Sequence, residues 1–210
     1  MTTTEATVVP SEQQPRAGTW YIDPVHSSVN FSARHLGLSK VRGVFGSFGG
    51  TITVADEVTG SQVDVQVHTE SVDTGQEQRD AHLRSPDFLD IANHPTMDFR
   101  GHTVEDTGDG YRLVGDLTIR GTTRPVTLDV EYGGLIPDPL SGGHRIAFNA
   151  TTSIDRRDFG LTWNAPLETG QILVGHRVTI ELDVVAGDQR PKSPEETQAE
   201  AASSEETVVS

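Results

Sequence analysis

The chain has no cysteine. That excludes disulfides, thiolate metal sites and thiol nucleophiles. Aromatic residues are only 6% of it, and there are two tryptophans and two methionines. No apolar run approaches the ~20 residues of a membrane-spanning helix, and the N-terminal residues lack the basic-then-apolar pattern of a signal peptide. A cytoplasmic protein is expected. Cationic residues are scarce, with 16 Lys and Arg against 31 Asp and Glu for a formal charge of −15. This argues against nucleic acid, or an anionic membrane, as a standing partner, and leaves room for a carrier that touches membranes briefly.

Glycine is plentiful at 21 of 210 residues, and hydrophobic residues make up 34%. A turn-rich, aromatic-poor chain of this length suits one all-β domain. The ends read differently from the middle. Residues 1 to 18 and 188 to 210 are rich in Thr, Ser, Glu, Gln and Pro without apolar periodicity, the signature of disordered tails. Of the −15, the last 23 residues carry −4 and the first 18 carry −1, so residues 19 to 187 keep −10.

That middle has period two. Val29, Phe31 and Ala33 alternate with Ser28, Asn30 and Ser32, and Val63, Val65 and Val67 with Asp64, Gln66 and His68. The same alternation returns around Ile52, Phe99, Leu117, Val130, Phe148 and Ile180, so about eight strands with one wet face are expected. Turn signals at Gly49 and Gly50, Gly60, Thr107 to Gly110, Gly121 to Pro125 and Gly133 to Gly143 separate them. Short links favour antiparallel neighbours. Such a sheet either closes into a barrel or splits into a sandwich, and periodicity does not separate the two.

One stretch breaks the rhythm, QRDAHLRSPDFLD from Gln78 to Asp90. Thr74 and Glu77 have the spacing of a capping box, and Asp80 lies four residues before Arg84, so a helix is expected from about Gly75 to Arg84. Ser85 and Pro86 read as the start of a second short helical turn carrying Phe88, Leu89 and Ile91. On a barrel this insertion would cover one mouth.

Several motifs in order then give a resemblance. TWYIDPVHSSVNFSARHLGLSKVRGVFGSFGGTI, TGQEQRDAHLRSPDFLDIANHPTMDF, GDLTIRGTTRPVTL, RRDFGLTW and ILVGHRVTIELDV resemble the YceI family of lipocalin-like proteins across roughly residues 19 to 186. The resemblance implies an eight-stranded antiparallel barrel with a helical insertion and an elongated apolar cavity. It implies an isoprenoid lipid ligand, a polyprenol, polyprenyl phosphate or isoprenoid quinone, with no other cofactor required. It is compatible with a homodimer. The sequence departs from the family at His176, where many members carry an acid, and in its acidic C-terminal tail.

Matching the motifs residue by residue makes Phe31, Ala33, Phe45, Phe48, Val65 and Val67 candidate cavity residues in the first half. Leu83 and Phe88 join them from the insertion, and Met97, Phe99, Leu117, Ile119, Leu128, Val130, Phe148 and Phe159 from the second half. By residue type alone these are equally an ordinary core, and a barrel plugged by its seven Phe would be a scaffold or stress protein without a ligand.

His35 continues the apolar parity of its strand, and Arg79, His82 and Arg157 lie in the two polar motifs. Together they are candidates for gripping a headgroup such as pyrophosphate. The alternative is that these charges pair among themselves and fix the insertion to the rim. No GxSxG, HExxH or Gly-rich phosphate loop is present, so an enzyme is not expected. The eight histidines show no metal-ligand spacing.

Overall fold

The computed structural model describes residues 14–139, 142–165 and 172–190. The chain runs β1 (Gly18–Ile22), β2 (Ser28–His35), β3 (Ser39–Phe45), β4 (Phe48–Val54), β5 (Gln62–His68), β6 (Val72–Asp73), α1 (Glu77–Arg84), β7 (Thr96–Asp106), β8 (Tyr111–Ile119), β9 (Thr122–Pro137), β10 (His144–Asp155) and β11 (Val174–Gly187). Every pairing is antiparallel.

The order β1-β4-β5-β7-β8-β9-β10-β11 returns to β1, which closes a ring of eight and settles barrel against sandwich. Closure is by Tyr21 opposite Gly187 and Ile22 opposite Ala186. β1 and β2 together form one interrupted stave along β11, because β2 takes over the pairing from Asp183 to Val174. β3 and β4 form the next stave in the same way. β5 and β6 share the third, so eight staves arise from eleven strand segments.

One end carries the β4–β5, β7–β8 and β9–β10 turns and the N-terminal approach. At the other stand α1 and its following turns, the β2–β3 and β8–β9 hairpins and the segment after β10. Alternation puts Trp20, Ile52, Ile146 and Ala186 into an apolar cluster at the turn end. Phe45, Val72, Phe88, Met97 and Phe159 form a second at the insertion end. Leu113, Leu128 and Ala150 form a third along the wall.

The register slips between Gly101 and Thr103, so inward parity passes from Phe99 to Val104. An extra residue in one strand does this by re-aiming all that follow.

Several expected turns are strand. Gly49 and Gly50 lie inside β4, Thr122 to Pro125 inside β9, and Gly133 to Pro137 at the end of β9. Glycine at position 50 serves close approach instead, because a Cβ there would run into the Asp64 carbonyl. The fold also starts before residue 19: Pro15 is buried, and the Arg16 carbonyl accepts the Trp20 indole N–H at 3.0 Å. At the other end Asp188 accepts the His144 backbone N–H at 3.0 Å. The remainder of both expected tails, residues 1–13 and 191–210, lies outside the described residues.

Candidate functional site

Inside the ring is a cavity of about 330 Å³, at the lower end of the roughly 300–1,000 Å³ usual for small-molecule sites. Its lining runs from Pro15, Val58 and Ser61 at the turn end to Phe88, Arg156 and Leu161 at the insertion end. Between them the wall is almost wholly Val, Leu, Ile, Phe and Ala. Such a wall offers dispersion contact and few hydrogen bonds, so it suits a long hydrocarbon.

All sixteen sequence candidates for the cavity line it: Phe31, Ala33, Phe45, Phe48, Val65, Val67, Leu83, Phe88, Met97, Phe99, Leu117, Ile119, Leu128, Val130, Phe148 and Phe159. The sixteen leave out other lining residues, among them Tyr111, Val174, Val178 and Arg156. Trp163, in the RRDFGLTW motif, was missed as part of the seal. Its ring meets Phe88 at 5.3 Å and His82 at 4.5 Å between centroids.

The seal is built locally. Gly75, with φ 74°, turns the chain, and α1 starts at Glu77 with Gln76 as its cap, accepting the Arg79 N–H. The expected Thr74–Glu77 capping box does not form, since that turn separates Thr74 from the helix. Thr74 is held by Asp80 instead, whose buried carboxylate accepts its backbone N–H at 2.9 Å and its hydroxyl. The expected Asp80–Arg84 pair is likewise absent, because Arg84 donates to the Glu70 and Val72 carbonyls and ties the helix to β6.

Past Ser85 the chain makes successive turns rather than a second helix. Phe88 and Asp90 both donate to the Ser85 carbonyl, and Asp90 takes φ 51°. These turns present Phe88 and Leu89 inward, both buried.

The four headgroup candidates do not converge on the cavity, and none lines it. Arg79 donates through Nε to the Thr74 hydroxyl at 2.7 Å and through Nη2 to its carbonyl at 3.0 Å. His82 stacks edge-on against Phe88 and Trp163, with Nε2 3.0 Å from Asp87 Oδ2. Arg157 forks onto the Asp155 carboxylate outside the barrel and holds that acid well below its ordinary range. His35 stands at the end of β2 opposite Val174 and Ser39. Arg79, His82 and Arg157 are thus each engaged by near neighbours.

The residue before Arg157 is the cation that meets the cavity. Arg156 is 4% exposed, and its guanidinium donates to the carbonyls of Gly175 at 3.1 Å, Leu161 at 2.5 Å and Val174 at 3.3 Å. It lies 5.9 Å from the Phe88 ring centroid. Burial lowers its pKa, and it makes no ion pair with any described acid. One side chain thus pins the loop after β10 to β11 and leaves a positive charge in an apolar wall.

The turn end is secured by another network. Arg145 bridges Asp23 and the buried Asp138, and His26 Nδ1 lies 2.8 Å from Asp23. Burial pushes the Asp23 carboxyl up, but hydrogen bonds from Arg145, His26 and the Val25 N–H outweigh it and hold it down at about 2.

A closed antiparallel ring around an elongated apolar cavity, with a helical insertion against one mouth, defines a lipocalin-like barrel. More particularly, the chain belongs to the YceI-like domain family, which matches residues 20–186. Protein YceI of Escherichia coli O17:K52:H18 is 42% identical over 137 residues, 65% of this chain and 71% of that protein. A Campylobacter jejuni YCEI protein matches in structure with TM-score 0.63 and 26% identity, covering 75% of this chain and 90% of that one. A polyisoprenoid binding domain from Saccharophagus degradans shares the fold with TM-score 0.57 at 17% identity, covering 82% and 99%.

Proposed function

We infer that the cavity holds a long-chain isoprenoid, as a polyprenol, polyprenyl phosphate or isoprenoid quinone, and that the protein carries this lipid without transforming it. The supporting observation is the apolar wall that continues from one end of the barrel to the other. The description of the Saccharophagus degradans domain as polyisoprenoid binding names the ligand class to test first. An isoprene unit leaving water would gain about 4 kcal/mol at ~0.8 per carbon. A polyprenyl tail, however, starts in a membrane where it is already dry, so transfer exchanges one apolar surrounding for another. Near-balanced transfer suits a carrier.

Native mass spectrometry of the purified protein mixed with polyprenol in detergent micelles tests this. One bound polyprenol per chain is expected, with loss of retention in Phe88→Asp while far-UV circular dichroism is unchanged. Failure of the wild type to take up polyprenol, and of solvent extraction to release any isoprenoid, would leave a scaffold without a lipid.

A further inference from the structure

We propose that the β2–β3 hairpin docks the protein on an anionic lipid bilayer. Its tip is Leu36, Gly37 and Leu38, turned by left-handed backbone at Leu36 (φ 54°) and Gly37 (φ 69°). Leu38 is 83% exposed, the most exposed large hydrophobic side chain among the described residues. Ile172 is also exposed, and the next residue, Leu173, accepts the Leu36 N–H at 2.9 Å.

Three cations flank this tip. Arg34, Lys40 and Arg42 are exposed, and their side chains make no hydrogen bond or ion pair with any described residue. Arg34 stands directly opposite Lys40 in the register, an arrangement that weakens a hairpin because like charges face each other. In a chain with 31 acids and 16 Lys and Arg, the opposed Arg34 and Lys40 do not serve stability.

A simpler explanation is protection of an edge. On its outer side β3 pairs only at Val44 and Phe45, with β6, so the rest of that edge is unpaired among the described residues, and charge blunts such edges. Charge of either sign would do so, however, and edge protection gives no reason for a bare leucine at the tip. A bilayer interface answers to both features, because anionic headgroups attract the cations and the acyl boundary takes the apolar side chain.

The formal charge of −15 does not prevent this contact. Surface charges are screened beyond ~8 Å at physiological salt. The Asp23, Asp138 and Asp188 cluster lies near the far end of β11, whose 14 residues span about 45 Å, whereas Asp73, Glu181 and Asp183 share an outer groove with Arg42 and leave Arg34 and Lys40 at the tip as the main attraction.

The hairpin also hangs from the rim of the cavity, since His35 pairs with Val174, a lining residue. Docking there would bring the cavity mouth to the lipid. That purpose rests on the carrier reading, whereas the docking itself does not.

The test is co-sedimentation of the full chain with phosphatidylcholine vesicles, with and without one third phosphatidylglycerol, across a salt series. The wild type is expected to bind the anionic vesicles, to release them as salt rises and to ignore the neutral ones. Leu38→Asp, and separately the triple change Arg34→Glu, Lys40→Glu and Arg42→Glu, should each weaken binding about tenfold or more. Both variants should still load polyprenol from micelles. Docking is overturned if the wild type ignores anionic vesicles, if the variants bind them equally well, or if sedimentation velocity finds a dimer that these changes dissociate. A chain that docks through the hairpin yet loads no polyprenol would sink the carrier reading alone.

Discussion

Arg156 and Arg157 are neighbours with opposite fates, set by which side of the wall each faces. Arg156→Met would strand the Leu161 and Gly175 carbonyls, and urea denaturation should show a loss of about 3 kcal/mol, partly offset by relief of burying the charge. Arg157→Ala removes an exposed pair and should leave the urea midpoint within error. Asp23 carries the acid dependence. Its folded-state pKa of about 2 lies below the ordinary 3.8, so its stabilisation is complete above pH ~4 and is lost as pH falls toward 2. Asp23→Asn should therefore cost about 1 kcal/mol at pH 7, after solvent screening, and only a small fraction of that near pH 2, as pH-dependent thermal melts would read.

At the scale of elements, the insertion depends on what lies beneath it. Gly43 in β3 leaves the space into which the Phe31 ring and the Thr74 methyl fit, and a Cβ there would meet both. Thr74 is also the residue that Asp80 and Arg79 hold. Gly43→Val should thus disturb strand and seal together, with a cost of about 1–3 kcal/mol and faster hydrogen exchange across α1. Period two identified the strands because each has one wet face. It missed their ends at Gly50 and Gly133, because glycine signals a turn locally but here meets a demand from a neighbouring strand. The helix was legible from Gly75 to Arg84 within two residues, but its cap was not, because Asp80 closes on Thr74 through a turn that spacing rules do not represent.

For the whole molecule, the distinction that matters is between a barrel that encloses space and one plugged by its own side chains. Ala150 is a small, buried residue on the cavity wall. Ala150→Phe should fill part of that space and abolish polyprenol loading in native mass spectra, while far-UV circular dichroism shows the barrel still folded, since the added ring can project into the cavity. A variant that still loads polyprenol fully would mean the lipid sits elsewhere.

The order of apolar and polar residues was enough to assign an all-β chain, because alternation is a local property of an extended backbone, whereas the sixteen inward candidates came from the family motifs, which also reach Leu83, Phe88 and Phe159 outside the strands. Ring closure, the slip at Gly101 and the choice of Arg156 over Arg157 were decided only when distant segments met. Closure pairs Ile22 with Ala186, and Arg156 depends on carbonyls up to 19 residues away. A charge is buried or solvated according to what packs over it, and residue order alone does not contain that.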